Sequence, residues 1–157
     1  MINNTDLAHI VDLFWPDKLV QETISFAGYW KDPFNLEKYL EVSIFLADIN
    51  NERAAKNATY RENLLSLNKM VMFYSTTDNI VKPAQSGWWS FYAPGQNKVV
   101  VPLQQSEQYT QDWLGLKTLD QQGKLVFLTT DCPHPDYPTN KCKESVFTNS
   151  TLLYLQN

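Results

Sequence analysis

The sequence predicts an α/β fold, and three observations carry that reading. Two short, nearly continuous apolar runs rich in β-formers, Lys69–Tyr74 and Lys124–Thr129, read as strands buried on both faces. About fifty residues separate them, ample for the crossover that a parallel pair requires. Helical patterns precede the first run and fill the connection. Two strands are fewer than such a domain normally carries. Residues 1–157 therefore read as a single C-terminal part of one domain, with helices covering a sheet whose other strands lie outside the chain.

The elements follow in order. Leu7, Ile10, Val11 and Phe14 have helical spacing, and Pro16 ends that segment. Leu19–Phe26 reads as a second short helix. Gly28-Tyr29-Trp30-Lys31-Asp32-Pro33 is a connector, because Pro33 forces Asp32 out of the helical region. Asn35 is the expected N-cap of a longer helix through Leu36, Tyr39, Leu40, Ser43, Ile44 and Ala47. Asn57 or Thr59 caps a further helix containing Tyr60, Leu64, Leu65 and Leu67. Between the strands lie Trp88–Tyr92, a short Val99–Val101 segment, and helical turns around Tyr109–Trp113 and Leu116–Gln121. A last helix is expected over Glu144–Leu155.

Composition narrows the function. The chain has 157 residues, 43% hydrophobic and 19% charged, which is globular rather than disordered. Its net charge is −4 and it has no dense basic stretch, so no nucleic-acid partner is expected. No apolar run approaches the roughly 20 residues of a transmembrane segment. Asn3, Asn57 and Asn149 each open an Asn-x-Ser/Thr triplet, an N-glycosylation acceptor in a secretory compartment. The first residues have neither the basic nor the apolar region of a signal peptide. Either the triplets are accidental, or the natural start lies upstream of Met1.

In open α/β sheets chemistry collects beyond the C-terminal ends of the strands. Asp78 follows the first apolar run and His134 the second, the chain order of acid and base in an α/β-hydrolase triad. In that chemistry the carboxylate fixes the imidazole tautomer, and the other ring nitrogen takes a proton from a serine hydroxyl. A turn residue and an exposed loop histidine are the plainer readings of the same two positions. Cys132, His134 and Cys142 fit no standard zinc spacing, so no metal is expected. A disulfide closing the loop around His134 suits an oxidising compartment better. His9, beside Ile10 on the first helix, reads as structural. The five glycines contain no pair four apart, so neither a Gly-x-Ser-x-Gly nucleophile elbow nor a phosphate loop can be built, and no cofactor is expected. Ser86-Gly87 is only a half-match, placed after Asp78 and on no strand.

Several stretches resemble palmitoyl-protein thioesterases: Tyr29–Pro33, Ser43–Arg53, Trp88–Tyr92, Tyr109–Lys117 and Gly123–Leu128, in the family's order. The resemblance runs from about Gly28 to His134, more loosely to the C-terminus, and favours the lysosomal type 1 enzyme over type 2. It implies an α/β-hydrolase that removes long-chain fatty acyl groups from protein cysteines, with fatty-acylated proteins or peptides as substrates. It also implies that Asp78 and His134 are catalytic, and that the serine and oxyanion hole belong to an N-terminal half missing here. The full-length protein would be lysosomal or secreted, and Asn57 matches a family glycosylation position. A second acceptor of the family is replaced by Glu41-Val42-Ser43. Trp30, Ile44, Phe45, Ile80 and Val81 are candidate walls of the acyl groove, with core packing the alternative for each. The loop Pro135–Cys142 and the cysteine pair depart from the family pattern. Two other functions stay open: an inactive fragment that binds acyl chains or a partner, and a lipase or esterase of other acyl preference.

Overall fold

A computed structural model of the chain describes residues 14–155. The first predicted helix (bar its last residue, Phe14), His9 and Asn3 lie outside those residues. Helix α1 spans Lys18–Thr23, and the Asp17 side chain accepts hydrogen bonds from the Leu19 and Val20 amides. The expected helix over Leu19–Phe26 ends early, because the chain tightens into a 3-10 turn over Ser25–Tyr29.

Helix α2, Leu36–Val42, is capped by Asn35, whose side chain accepts from the Lys38 amide. The prediction of one helix through Ala47 is corrected here: the chain breaks at Ser43, and α3 covers Leu46–Ile49. Side chains have captured the backbone groups that a continuous helix needs. Arg53 donates to the carbonyls of Leu40 and Ser43, the Ser43 hydroxyl accepts from the Ala47 amide, and Gln21 accepts from the Ile44 amide. Helix α4, Ala58–Leu65, is capped by Asn57 rather than Thr59.

Strand β1, Met70–Ser75, pairs in parallel with β4, Leu125–Thr130, through six residue pairs from Met70 opposite Leu125 to Ser75 opposite Thr130. Each strand runs one residue later than the sequence placed it. Burial on both faces is also corrected. Met72, Ser75, Leu125 and Thr130 are buried, and most of the other strand residues are half-buried. Among the described residues this sheet has only two strands, so it covers less apolar surface than a wide parallel sheet.

The crossover begins with a 3-10 turn over Ala84–Trp88. Trp88 ties it to the sheet: its indole N–H donates to the carbonyls of Met72 and Leu128, and its ring meets Tyr74 and Phe127 edge-on. A small antiparallel ribbon follows, β2 (Phe91–Tyr92) against β3 (Val100–Val101). Next come α5, Glu107–Thr110, capped by Ser106, and α6, Leu116–Gln121, which leads into β4.

Two apolar clusters result. Met72, Leu103, Leu114, Leu116, Leu119 and Leu125 form the one beneath the sheet. Trp15, Tyr39 and Ala47 form the other, with Trp30, Leu40, Val42 and Leu46 packed against it. Polar ties join the halves. Asn51 donates to the Trp113 carbonyl, Gln108 to that of Asn50, and the Gly95 amide to that of Pro33.

After β4, Cys132 and Cys142 are disulfide-bonded. The expected last helix over Glu144–Leu155 is not continuous. A π-turn over Lys143–Thr148 gives way to a 3-10 turn over Thr151–Tyr154. Hydroxyls compete for its carbonyls, with Ser150 donating to Ser145 and Thr151 to Val146. Among the described residues no helix is long and apolar enough to cross a membrane.

Candidate active site

The parallel pair delivers two loops to the same end of the sheet. Threonine contacts stitch them together: the Thr76 amide and hydroxyl both donate to the Thr130 carbonyl, and the Thr77 hydroxyl donates to that of Asp131. Asp78 follows directly in the first loop. Its Oδ1 accepts from the amides of Ile80 at 2.8 Å and Val81 at 3.0 Å, a turn that aspartate forms with its own backbone. This fixes the carboxylate and leaves Oδ2 for a second partner.

That partner is His134, at the start of a 3-10 turn over His134–Asp136. Its Nδ1 lies 2.9 Å from Asp78 Oδ2. The carboxylate is 8% exposed and the imidazole 44% exposed, so the acid is sheltered and the ring is partly open to solvent. Burial alone would raise the Asp78 carboxyl. The Val81 amide, His134 and the Ile80 amide outweigh it and hold the group below the usual carboxylate range. An ionised acid hydrogen-bonded to Nδ1 holds the ring proton on that nitrogen, leaving Nε2 as the basic position.

A cavity of about 530 Å³ opens beside the pair. Besides the pair, it is lined by Phe73, Tyr74, Ser75, Gly87 and Val81, and by Pro135, Tyr137 and Pro138. Burial raises the Tyr137 phenol, and the Asp78 charge raises it further. Sequence reasoning missed these last three residues and Gly87. An aromatic flanked by prolines shortly after the histidine was the available signal. Gly87 belongs to the half-match Ser86-Gly87, but its use is spatial: a Cβ there would lie 2.1 Å from the Phe73 carbonyl oxygen.

The five apolar candidates are not gathered in one place. Val81 lines this cavity; Trp30, Ile44, Phe45 and Ile80 do not. Trp30 packs against the second apolar cluster, and its buried Nε1 has no hydrogen-bond partner among the described residues. Ile44, Phe45 and Ile80 are exposed, Phe45 edge-on to Tyr29. Both cysteine sulfurs beside His134 are used in the disulfide. Asn57 and Asn149 are exposed.

Residues 2–134 match the family model described as palmitoyl protein thioesterase. The chain is similar to palmitoyl-protein thioesterase 3 of Dictyostelium discoideum, 57% identical over 90% of this chain and 49% of that protein. It is 39% identical to palmitoyl-protein thioesterase 1 of Caenorhabditis elegans, over 82% of this chain and 43% of that one. It is 37% identical to lysosomal thioesterase PPT2-B of Xenopus laevis, over 80% and 43% respectively. The chain thus spans about half the length of the curated relatives it matches.

Proposed function

The chain belongs to the palmitoyl protein thioesterase family, and from that premise we propose that it supplies the acid and the imidazole of a Ser-Asp-His triad to a palmitoyl-protein thioesterase. The attacking serine is then carried by polypeptide outside these residues, which together with them completes an α/β-hydrolase domain. The observation that carries the reading is the 2.9 Å contact between Asp78 Oδ2 and His134 Nδ1 at the C-terminal ends of two paired parallel strands.

The chemistry follows from that contact. Nε2 of His134 accepts the serine proton as the serine oxygen attacks the thioester carbonyl. Backbone donors stabilise the developing oxyanion. Asp78 stabilises the imidazolium and stays ionised. The carbon–sulfur bond breaks, the cysteine sulfur takes the proton back from Nε2, and an acyl-serine remains. Water, giving a proton to the same nitrogen, then releases the fatty acid and restores the serine. Val81, Tyr137 and the two prolines give the cavity beside the pair an apolar lining, and Trp30, Ile44, Phe45 and Ile80 remain candidates for the acyl groove. Substrates are fatty-acylated proteins or peptides, and the setting is lysosomal or secreted, with sugars on Asn57 and Asn149.

The test uses the full-length polypeptide and a palmitoylated-cysteine peptide. His134→Ala should lower turnover by several orders of magnitude, and retained turnover would overturn the reading. Residues 1–157 alone should show no hydrolysis. A second reading, an inactive acyl-binding fragment, draws on the exposed Ile44, Phe45 and Ile80. Palmitate binding by residues 1–157, with no turnover from any longer polypeptide, would favour it.

A further inference from the structure

The loop that carries His134 has little to hold it. From Asp131 to Ser145 only Cys132 and Cys142 are buried, at 2% and 5% exposure. Their Cα atoms are 5.8 Å apart, although the chain between them reaches roughly 35 Å when extended. Ties within the loop are polar and local: the Lys141–Asp136 ion pair, the Thr139 amide and hydroxyl to the Asp136 carbonyl, the Lys141 amide to the Thr139 hydroxyl, and the Asp136 amide to the Pro133 carbonyl. Exposed ties of this kind restrain a loop weakly. The Cys132 amide is fixed by the Thr130 hydroxyl at the end of β4, two residues before His134.

We propose that the Cys132–Cys142 disulfide is a positioning device that holds the His134 ring against Asp78. This rests on the reading of Asp78 and His134 as a proton-handling pair. Closing the loop removes the open conformations in which the ring swings away from the carboxylate. A ring displaced by about 1 Å costs on the order of a hundredfold in rate.

The experiment replaces both residues, Cys132→Ala with Cys142→Ala, and reads two quantities. One is the neutral imidazole tautomer of His134, from ring nitrogen shifts in mildly alkaline buffer, with His9→Gln to assign the signals. The other is kcat and KM of the full-length polypeptide. The intact protein should show the Nδ1–H tautomer. The paired replacement should lose it, and kcat should fall about tenfold to a hundredfold with KM changed less than about twofold, while the amides of β1 and β4 stay protected. If the replaced protein does not fold, phosphine reduction of the folded protein is read by the same criteria. A retained tautomer overturns the positioning role, whatever happens to turnover. So does loss of the tautomer only together with β1 and β4 protection. Loss of the tautomer with turnover unchanged overturns the catalytic reading of His134 instead.

Discussion

Asp78 has two jobs, one for each carboxylate oxygen. Its turn with Ile80 and Val81 is the plain loop role of an aspartate after a strand, and its contact with His134 is the one on which the proposed chemistry rests. The residue does both at once, so the plain reading and the functional one never excluded each other. Because its carboxyl is held low, the stabilisation it adds is fully present above the ordinary value of 3.8 and is lost as pH falls through the lower folded value. Carboxyl-carbon titration by NMR should therefore give Asp78 a midpoint below 3.8, and a midpoint at or above it would contradict this account. Gly87 is the residue that no sequence pattern exposed, since a close approach to a strand carbonyl depends on the tertiary fold. Gly87→Ala should cost about 1–3 kcal/mol, seen as a lower Tm, because the Phe73 carbonyl must move.

The elements that were legible are those whose local and long-range preferences agree. The two apolar runs became strands because β-formers and burial pull the same way there. Asn35 and Asn57 cap helices through contacts within three residues. The breaks at Ser43 and Asn149 were hidden for opposite reasons. In the tail, serine and threonine hydroxyls compete locally with the helix. At Ser43 the competitor is Arg53, ten residues along the chain, and periodicity does not register it. Arg53→Met should leave the Leu40 and Ser43 carbonyls without a donor and cost about 1–3 kcal/mol in chemical denaturation. An unchanged midpoint would mean that the break is set by other contacts.

At the scale of the whole molecule, the α/β class and the parallel pair within these residues were readable, whereas strands outside them were not. Periodicity identifies a strand without counting its neighbours. The core beneath the sheet joins Met72 of β1 and Leu125 of β4 to the fully buried Leu116 and Leu119 of α6. Leu119→Ala should therefore cost about 2–5 kcal/mol and lower the whole transition rather than one segment, by calorimetry. The disulfide was legible because two cysteines ten apart suit a closed loop, whereas the apolar surface around Ile44 and Phe45 became visible only in three dimensions.

The six pairs between β1 and β4 also work as a ruler. Asp78 lies three positions beyond Ser75 and His134 four beyond Thr130, and those two strand ends face each other. A slip of two positions would carry one loop about 6.6 Å past the other, more than twice the acid–imidazole distance. Correct strand alignment is thus a condition for the proposed chemistry at this site, and a misaligned chain could keep its sheet and still lose the acid–imidazole contact.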